Sequence, residues 1–448
     1  MLHWLSCQRS WDRFFGSAAG CRSFSGLNPS PKIEVKALET DGCPETPEVS
    51  NELLSIETIT PENSSNRNLA HCQSPGHKAS RAWVCYDLQP MQTGIIGLPQ
   101  VGKTTLFKIL TRAQLDEKAA RAATHVGVAR VPEPRLEQLA KLYNPKKITY
   151  ATVEYVDVGG MVKDRTKDSA VLAPLREVDA LAHVLRVFDD PAVAHSAGSI
   201  DPLRDAEVLD LELMLSDLDQ ITRRIERVEK DLKKKKEPIL EQELALLHRC
   251  RIAIESEKPL RELEFNPEER KLITGFKFLS QRPMLYVLNL GDSEVAELDT
   301  AVERHNLAKL VGRPNTAIVS ICGRIEAELA ELEPAEGAEM LAAYGLKSSG
   351  LDRLIQATYH LMGLTSFFTA GEPEVRAWTI KRGMNAQKAA GAIHSDIERG
   401  FIRAEVVRWN DLLASGSLPA AREKAQVRLE GKEYVVQEGD VILFRHSG

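Results

Sequence analysis

Short apolar runs separated by helical stretches dominate the chain from Met91 onward. Strand-like runs fall at 93–97, 126–131, 152–157 and 180–188, and two more follow at 284–289 and 316–321. Strands that alternate with helix-period segments predict βαβ units and a mostly parallel sheet. Between 203 and 280 the period changes. Val208, Leu211, Leu215, Leu218, Ile221, Ile225, Val228 and Leu232 recur at spacings of three and four, the seam of a coiled coil. Lys233 to Lys236 and Pro238 interrupt it, and a second seam runs through Leu240, Leu244, Leu247 and Ile254. The pattern predicts an antiparallel two-helix arm at 203–280, inserted in a sheet domain that occupies 91–202 and 281–365. From 366 to 448 alternation returns, in Val375–Ile380, Arg403–Val407, Tyr434–Val436 and Val441–Phe444, with a short helix at 385–393. This predicts a small separate α+β domain.

Residues 1–90 carry no sustained period and contain breaker clusters such as Asn28-Pro29-Ser30-Pro31. Such a stretch buries too little apolar surface to offset the entropy of ordering. Three readings compete: an unstructured or spurious stretch ahead of a natural start at Met91, a true disordered tail, or a mitochondrial presequence. The last draws on Arg9, Arg13 and Arg22 against the single acidic Asp12 in the first 30 residues.

Composition narrows the class. A chain of 448 residues with 27% charged and 43% hydrophobic positions suits two or three globular domains. The net charge of −6 gives no bulk signature of a nucleic-acid binder, which leaves only local basic surfaces for that role. The four lysines at the arm tip read as a solvated turn, with an RNA or partner contact as the alternative. Trp378, Phe401 and Trp409 read as core or protein-contact residues, with base stacking as the alternative. No apolar run approaches the ~18 residues of a membrane span. The seven cysteines match no metal-ligand spacing, and their odd number argues against a closed disulfide framework, so a reducing, cytoplasmic compartment is expected.

The chemistry concentrates at Gly97–Thr104, which reads G-L-P-Q-V-G-K-T. A strand precedes it and a helix follows, the context in which G-x(4)-G-K-[ST] wraps a phosphate chain. The backbone of Gly97, Leu98, Pro99, Gln100, Val101 and Gly102 is expected to surround the phosphates, with Thr105 opening the helix behind them. Lys103 is expected on the β- and γ-phosphates and the Thr104 hydroxyl on Mg²⁺. Asp157 closes a strand and is expected to hold the magnesium through water, while the Gly160 amide is expected at the γ-phosphate. Asn289-Leu290-Gly291-Asp292 stands where G-domain proteins carry N-K-x-D to read guanine, here with Leu290 in place of the lysine. Cys322, Gly323 and Arg324 fall where backbone N–H groups usually meet the base. Met161 occupies the position at which many GTPases orient the attacking water with glutamine, so another group must handle that water.

These residues resemble the Obg-like ATPases of the YchF type, within the translation-factor-related P-loop GTPases. The likeness covers about 91–446. It rests on G-L-P-Q-V-G-K-T-T-L-F at 97–107, V-P-E-P-R-L at 131–136, R-E-V-D-A-L at 176–181 and R-I-E-A-E-L at 324–329. It continues in F-F-T-A-G-E-P-E-V-R-A-W-T-I at 367–380, A-A-G-A-I-H-S-D-I-E-R-G-F-I-R-A-E-V at 389–406 and R-L-E-G-K-E-Y-V-V-Q-E-G-D-V at 428–441. The resemblance implies a P-loop G domain, an inserted helical arm and a C-terminal TGS domain with a ubiquitin-like β-grasp fold. It implies hydrolysis of ATP in preference to GTP, association with ribosomes, and a catalytic role for His195, which matches a family histidine. The chain departs from the family before Val126-Gly127-Val128, where Ala122-Ala123-Thr124-His125 stands and Thr124 is the local candidate for a switch threonine on magnesium. It departs again at Lys163–Asp168, which replaces a glycine-rich segment, and at Asp292, where the family commonly carries Glu. Base choice stays open, with ATP ahead. Three functions follow: a slow, conformationally coupled hydrolase; a non-enzymatic nucleotide- or ribosome-binding scaffold; and a small-molecule kinase, for which no arginine-rich lid pattern is found.

Overall fold

Each of the six apolar runs forms a strand, and most run parallel because helices return the chain to the same end of the sheet. The computed structural model describes residues 91–112, 124–158 and 169–447. The stretch 1–90 lies outside the described residues, as do Gly160, Met161 and Lys163–Asp168. Strand β1 (Gln92–Ile96) leads into α1 (Lys103–Thr111), and β2 (Thr124–Arg130) into α2 (Pro134–Tyr143). A two-residue strand, β3 (Ile148–Thr149), precedes β4 (Thr152–Val158), α3 (Ser169–Glu177) and β5 (Ala180–Arg186). The helices α4 (Pro202–Lys234), α5 (Pro238–Glu255) and α6 (Pro267–Ile273) then intervene before β6 (Met284–Asn289). After α7 (Ala301–Arg304) come β7 (Thr316–Ile321), α8 (Gly323–Glu331), α9 (Pro334–Ala343) and α10 (Gly350–Leu361). The sheet order is β2-β4-β1-β5-β6-β7, with only β2 antiparallel to its neighbour.

β5 and β6 are buried along their whole length, which is why apolar residues fill both faces of each, broken in β5 by His183 and Arg186 and in β6 by Asn289. Ile95, Val184 and Leu285 pack on one face with Phe107, Leu136 and Leu354 from α1, α2 and α10. Ile96, Leu185 and Tyr286 pack on the other with Leu175, Leu209 and Ile325 from α3, α4 and α8.

The arm is a helical hairpin whose turn spans only Lys235–Glu237, so α4 and α5 run antiparallel. The expected seam holds at Ile221, Ile225 and Val228. Nearer the sheet it does not: Leu211 and Leu215 are about half exposed, and the buried stripe runs instead through Ala206, Leu209, Leu213 and Asp217. There α4 leaves its partner helix and lies on the sheet, so a different face is covered. Polar groups anchor this base. Asp217 accepts the N–H groups of Leu279 (3.0 Å) and Ser280 (2.7 Å). Asp210 accepts the Tyr286 hydroxyl (2.7 Å) and pairs with the fully buried guanidinium of Arg261. The four lysines at the tip are exposed, and Lys234 and Lys235 pair with Asp231 and Glu237.

The C-terminal strands form a second sheet. β8 (Leu364–Ala370) and β9 (Val375–Lys381) make a hairpin, followed by α11 (Ala386–Ile393), α12 (Ser395–Arg399) and β10 (Phe401–Arg408). Helices α13 (Trp409–Ser415) and α14 (Leu418–Glu423), then β11 (Arg428–Glu430) and β12 (Asp440–His446), complete it. β12 is antiparallel to β10 and parallel to β8, the arrangement of a β-grasp. Tyr434–Val436, expected as a strand, is a loop with one isolated bridge from Val435 to Asn385.

This sheet is not a separate body. Its edge strand is β3, supplied by the segment after α2, and Phe368, Val375, Val407 and Val441 share one apolar core with β1 and α2. The sheet starts at Leu364, two residues before the expected boundary. Arg135 on α2 is held bidentately by Glu133 (2.6 and 2.5 Å) and reaches Glu438 (3.0 Å), with its guanidinium 5.4 Å from the Phe368 ring centre. The V-P-E-P-R-L segment is therefore a clasp between the two sheets. Trp378 and Phe401 pack on the core beneath α11, and Trp409 packs against the shared core.

Removing the Asp210 carboxylate leaves the Arg261 charge and the Tyr286 hydroxyl buried without their acceptor. Asp210→Ala is expected to cost about 3–5 kcal/mol in urea unfolding, and the paired replacement Asp210→Leu with Arg261→Met considerably less.

Candidate nucleotide site

The loop after β1 turns through conformations that favour glycine. Gly97 has φ +146°, and a Cβ there would stand 2.6 Å from the Val184 carbonyl oxygen. Gly102 has φ +99°, and a Cβ there would stand 2.6 Å from Asn289 Nδ2. With Gln100 also at positive φ, the loop curls through left-handed conformations, the backbone pattern from which anion nests are built. Leu98 and Val101 point their side chains into the core, so they serve the loop through their backbone. Gly102 also begins α1 without any side-chain cap, which leaves first-turn N–H groups for an anion at the positive end of the helix. Pro99 is half-buried and Thr105 exposed.

Lys103 donates to the carbonyl oxygens of Gly97 (2.9 Å) and Leu98 (2.7 Å), holding the loop closed over itself. Burial lowers its pKa to about 8, with Asp157 acting in the opposite sense. The Thr104 hydroxyl donates to Asp157 Oδ2 at 3.0 Å, while the other carboxylate oxygen, Oδ1, is buried with no hydrogen-bond partner. A buried anionic oxygen without a donor is costly unless a cation or its bound water satisfies it. The hydroxyl–carboxylate pair therefore fits a magnesium ion that takes its remaining ligands from phosphate and water. Among the described residues no cluster of three or more His, Cys, Asp or Glu forms a dedicated metal cage. Thr124 begins β2 opposite Val158, one register position from the His125–Asp157 pair, so it sits at the right strand end.

On the base side the structure reassigns several residues. The Asn289 side chain is a clamp: Nδ2 donates to the Val101 carbonyl and Oδ1 accepts from Gly323 N–H, both at 3.0 Å. Gly323 N–H is therefore already engaged and does not point at a base. Leu290 is a core residue, its side chain packed in the apolar cluster beside Val295 and Leu298 and its N–H donated to Ile321. The apolar residue that replaces lysine folds inward because β6 continues into the core by one more position. Cys322 is buried, with its thiol 3.4 Å from Asp292 Oδ1 and its pKa pushed up to about 11 by burial. Arg324, expected at the base only through its backbone, pairs by its side chain with Asp292 Oδ2 at 3.0 Å.

His195 lies in the loop between β5 and α4. Its Nδ1 accepts from Ala197 N–H (3.1 Å), so Nε2 carries the proton and lies 3.1 Å from Asp205 Oδ2. Its side chain is turned inward against the first turn of α4, only 7% exposed. Arg186, at the end of β5, shapes this loop. It donates to the carbonyls of Phe188 (3.1 Å) and Val193 (2.9 Å), with its guanidinium 4.5 Å from the Phe188 ring centre. An arginine ending a strand that is otherwise apolar except for His183 was the available signal for it.

A P-loop between a parallel strand and a helix, a hydroxyl–carboxylate pair at Thr104 and Asp157 and an amide clamp from β6 define a P-loop nucleoside-triphosphate-binding protein of the GTPase class. The comparisons agree. A family model described as "50S ribosome-binding GTPase" matches residues 92–242. A YchF-type GTPase C-terminal model, described as "Protein of unknown function (DUF933)", matches 364–447. The ribosome-binding ATPase YchF of Bacillus subtilis is 44% identical over 364 residues, covering 80% of this chain and 99% of that protein. The protein of the same name from Escherichia coli O157:H7 is 37% identical over 358 residues, covering 78% and 98%. The solved structure of the Schizosaccharomyces pombe YchF GTPase superposes with a TM-score of 0.70 at 27% identity, covering 79% of this chain and 97% of that one. The chain belongs to the YchF family.

A phosphate chain favours the charged form of Lys103, so binding above the free pKa must take up a proton. Nucleotide affinity is therefore expected to be insensitive to this group below about pH 8 and to fall about tenfold per pH unit above it, until the bound-state pKa is passed. Calorimetric titration between pH 7 and 9.5 checks this, and Lys103→Met is expected to flatten the profile.

Proposed function

We propose that this protein binds and slowly hydrolyses nucleoside triphosphates, ATP in preference to GTP, as a nucleotide-dependent switch on the ribosome in the cytoplasm. The observation that carries the chemistry is the Lys103, Thr104 and Asp157 constellation, with its one buried carboxylate oxygen lacking a donor. The ribosome as partner rests on the ribosome-binding ATPases that the chain resembles along most of its folded length. The exposed lysines of the arm tip offer one basic contact for it. Among the described residues no helix is long and apolar enough to cross a membrane.

In this reading Lys103 leaves the Gly97 and Leu98 carbonyls and neutralises the β- and γ-phosphates, while the loop amides and the start of α1 hold the chain in line. The Thr104 hydroxyl, Thr124 and, through water, Asp157 would hold magnesium, which would supply charge neutralisation at the phosphates. Gly160 lies outside the described residues, and its D-x-x-G position assigns its amide to the γ-phosphate in this reading. His195 is the candidate that orients the attacking water. Its side chain, packed 3.1 Å from Asp205 without a hydrogen bond between them, must first turn outward, which makes the loop shaped by Arg186 the element that gates turnover.

Lys103→Ala is expected to lower single-turnover hydrolysis by at least about a hundredfold; hydrolysis at the wild-type rate would exclude this reading. His195→Ala is expected to slow the same step by about a hundredfold or more with nucleotide affinity nearly unchanged. A wild-type protein that binds ATP without releasing phosphate, with or without ribosomes, would instead identify a scaffold.

A further inference from the structure

We propose that the open corner of the C-terminal sheet, where β10, β11 and β12 meet solvent, is a docking surface for an acidic protein segment that carries apolar side chains. None of its residues belongs to the nucleotide site.

Leu429 of β11 and Leu443 of β12 stand directly opposite Glu405 of β10, one on each side of it. They share the face on which Val407, Val441 and Phe368 enter the core common to both sheets, because side chains two residues apart on a strand point the same way. The helices cover that face only in part. Val407 and Val441 are buried, but one row further along Leu443 is 39% and Leu429 63% exposed. Beyond the leucines comes the row of Arg403 opposite Arg445, both exposed.

The charge on this corner is one-sided. One oxygen of Glu405 accepts from Arg445 Nε (2.7 Å) and the other from Arg422 Nη2 on α14 (2.5 Å), so both are engaged. Three guanidiniums thus flank a single carboxylate, and among the described residues Arg403 has no ion-pair partner. This local excess of positive charge stands on a chain whose net charge is −6.

A partner that covers the corner must bring apolar atoms over the leucines and anionic oxygens to the arginines at the rim. Removing the leucines from water supplies the attraction, and carboxylates at the rim supply orientation. A second copy of this chain does not match, since a two-fold contact through the corner sets arginine against arginine. RNA matches less well, because leucines rather than aromatic rings occupy the exposed centre and give bases no platform.

The test uses full-length protein and the fluorescence anisotropy of a labelled twelve-residue peptide, three repeats of aspartate, glutamate, leucine and glycine. Wild type is expected to bind it saturably, and not to bind the same peptide with lysine in place of the acids. Arg403→Glu is expected to weaken binding by about tenfold or more, Arg403→Lys by much less, and Leu443→Ser by about fivefold. These positions are exposed, so the variants are expected to melt at the wild-type temperature. No saturable binding by wild type, or an equal affinity in Arg403→Glu, overturns the proposal. So does displacement of the peptide by a ten-nucleotide oligouridylate at a lower concentration than unlabelled peptide, which would identify an RNA surface. Dimerisation of wild type that Leu443→Ser abolishes would overturn it in favour of a contact between copies.

Discussion

The Asn289 side chain joins segments that are far apart in the chain. Its nitrogen donates to the phosphate loop at Val101 and fills the space where Gly102 would carry a Cβ, while its oxygen takes the first amide of α8 at Gly323. The curl of the phosphate loop, the absence of a side chain at Gly102 and the spacing between phosphate and base sides all follow from that one buried amide. Truncating it would leave the Val101 carbonyl and the Gly323 amide without partners in a region that excludes water, a cost borne by every loop at once.

From that centre the structure is tied outward by polar anchors on apolar surfaces. Towards the arm, Asp210, Arg261 and Tyr286 fasten α4 to the sheet, and Asp217 caps the returning chain at Leu279 and Ser280. Towards the C-terminal sheet, β2 lies against the strand that carries Asp157 and continues into α2, whose Arg135 clasps Glu438. The segment after α2 then supplies the edge strand β3. The strand beside the Asp157 carboxylate is thus continuous with the helix on which the second sheet rests. A displacement of β2 would reach that sheet through packed elements rather than through a flexible linker.

Legibility in the sequence followed the range of the interaction. The central strands β5 and β6 were readable because burial on both faces leaves long apolar runs, whereas the edge strand β2 was readable from its valines although Val126 and Val128 face solvent. The seam of the arm was readable only where helix meets helix. At its base the same spacing of Val208, Leu211 and Leu215 described a face that the structure leaves largely to solvent, because contact with the sheet rotates the buried stripe. The strand β3 is two residues long and has no pattern of its own. It exists because Val375 and Arg376 lie alongside.

The candidate site divides in the same way. Gly97, Gly102, Lys103, Thr104 and Asp157 could be assigned from spacing alone, because a phosphate loop is a local object whose backbone conformation its own residues dictate. Asn289, Leu290, Cys322 and Gly323 carried a motif, but their roles were set by neighbours distant in sequence. A clamp, a core residue and an amide already donated can be distinguished only once β6, β7 and the phosphate loop are side by side. Arg186 and Arg324 belong wholly to that second kind: one folds the His195 loop from inside the protein and the other crosses from α8 to Asp292. The sequence by itself determined the phosphate chemistry. Tertiary structure decided which groups are left free to meet a base or a water, since hydrogen-bonding capacity is spent between residues that chain order does not bring together.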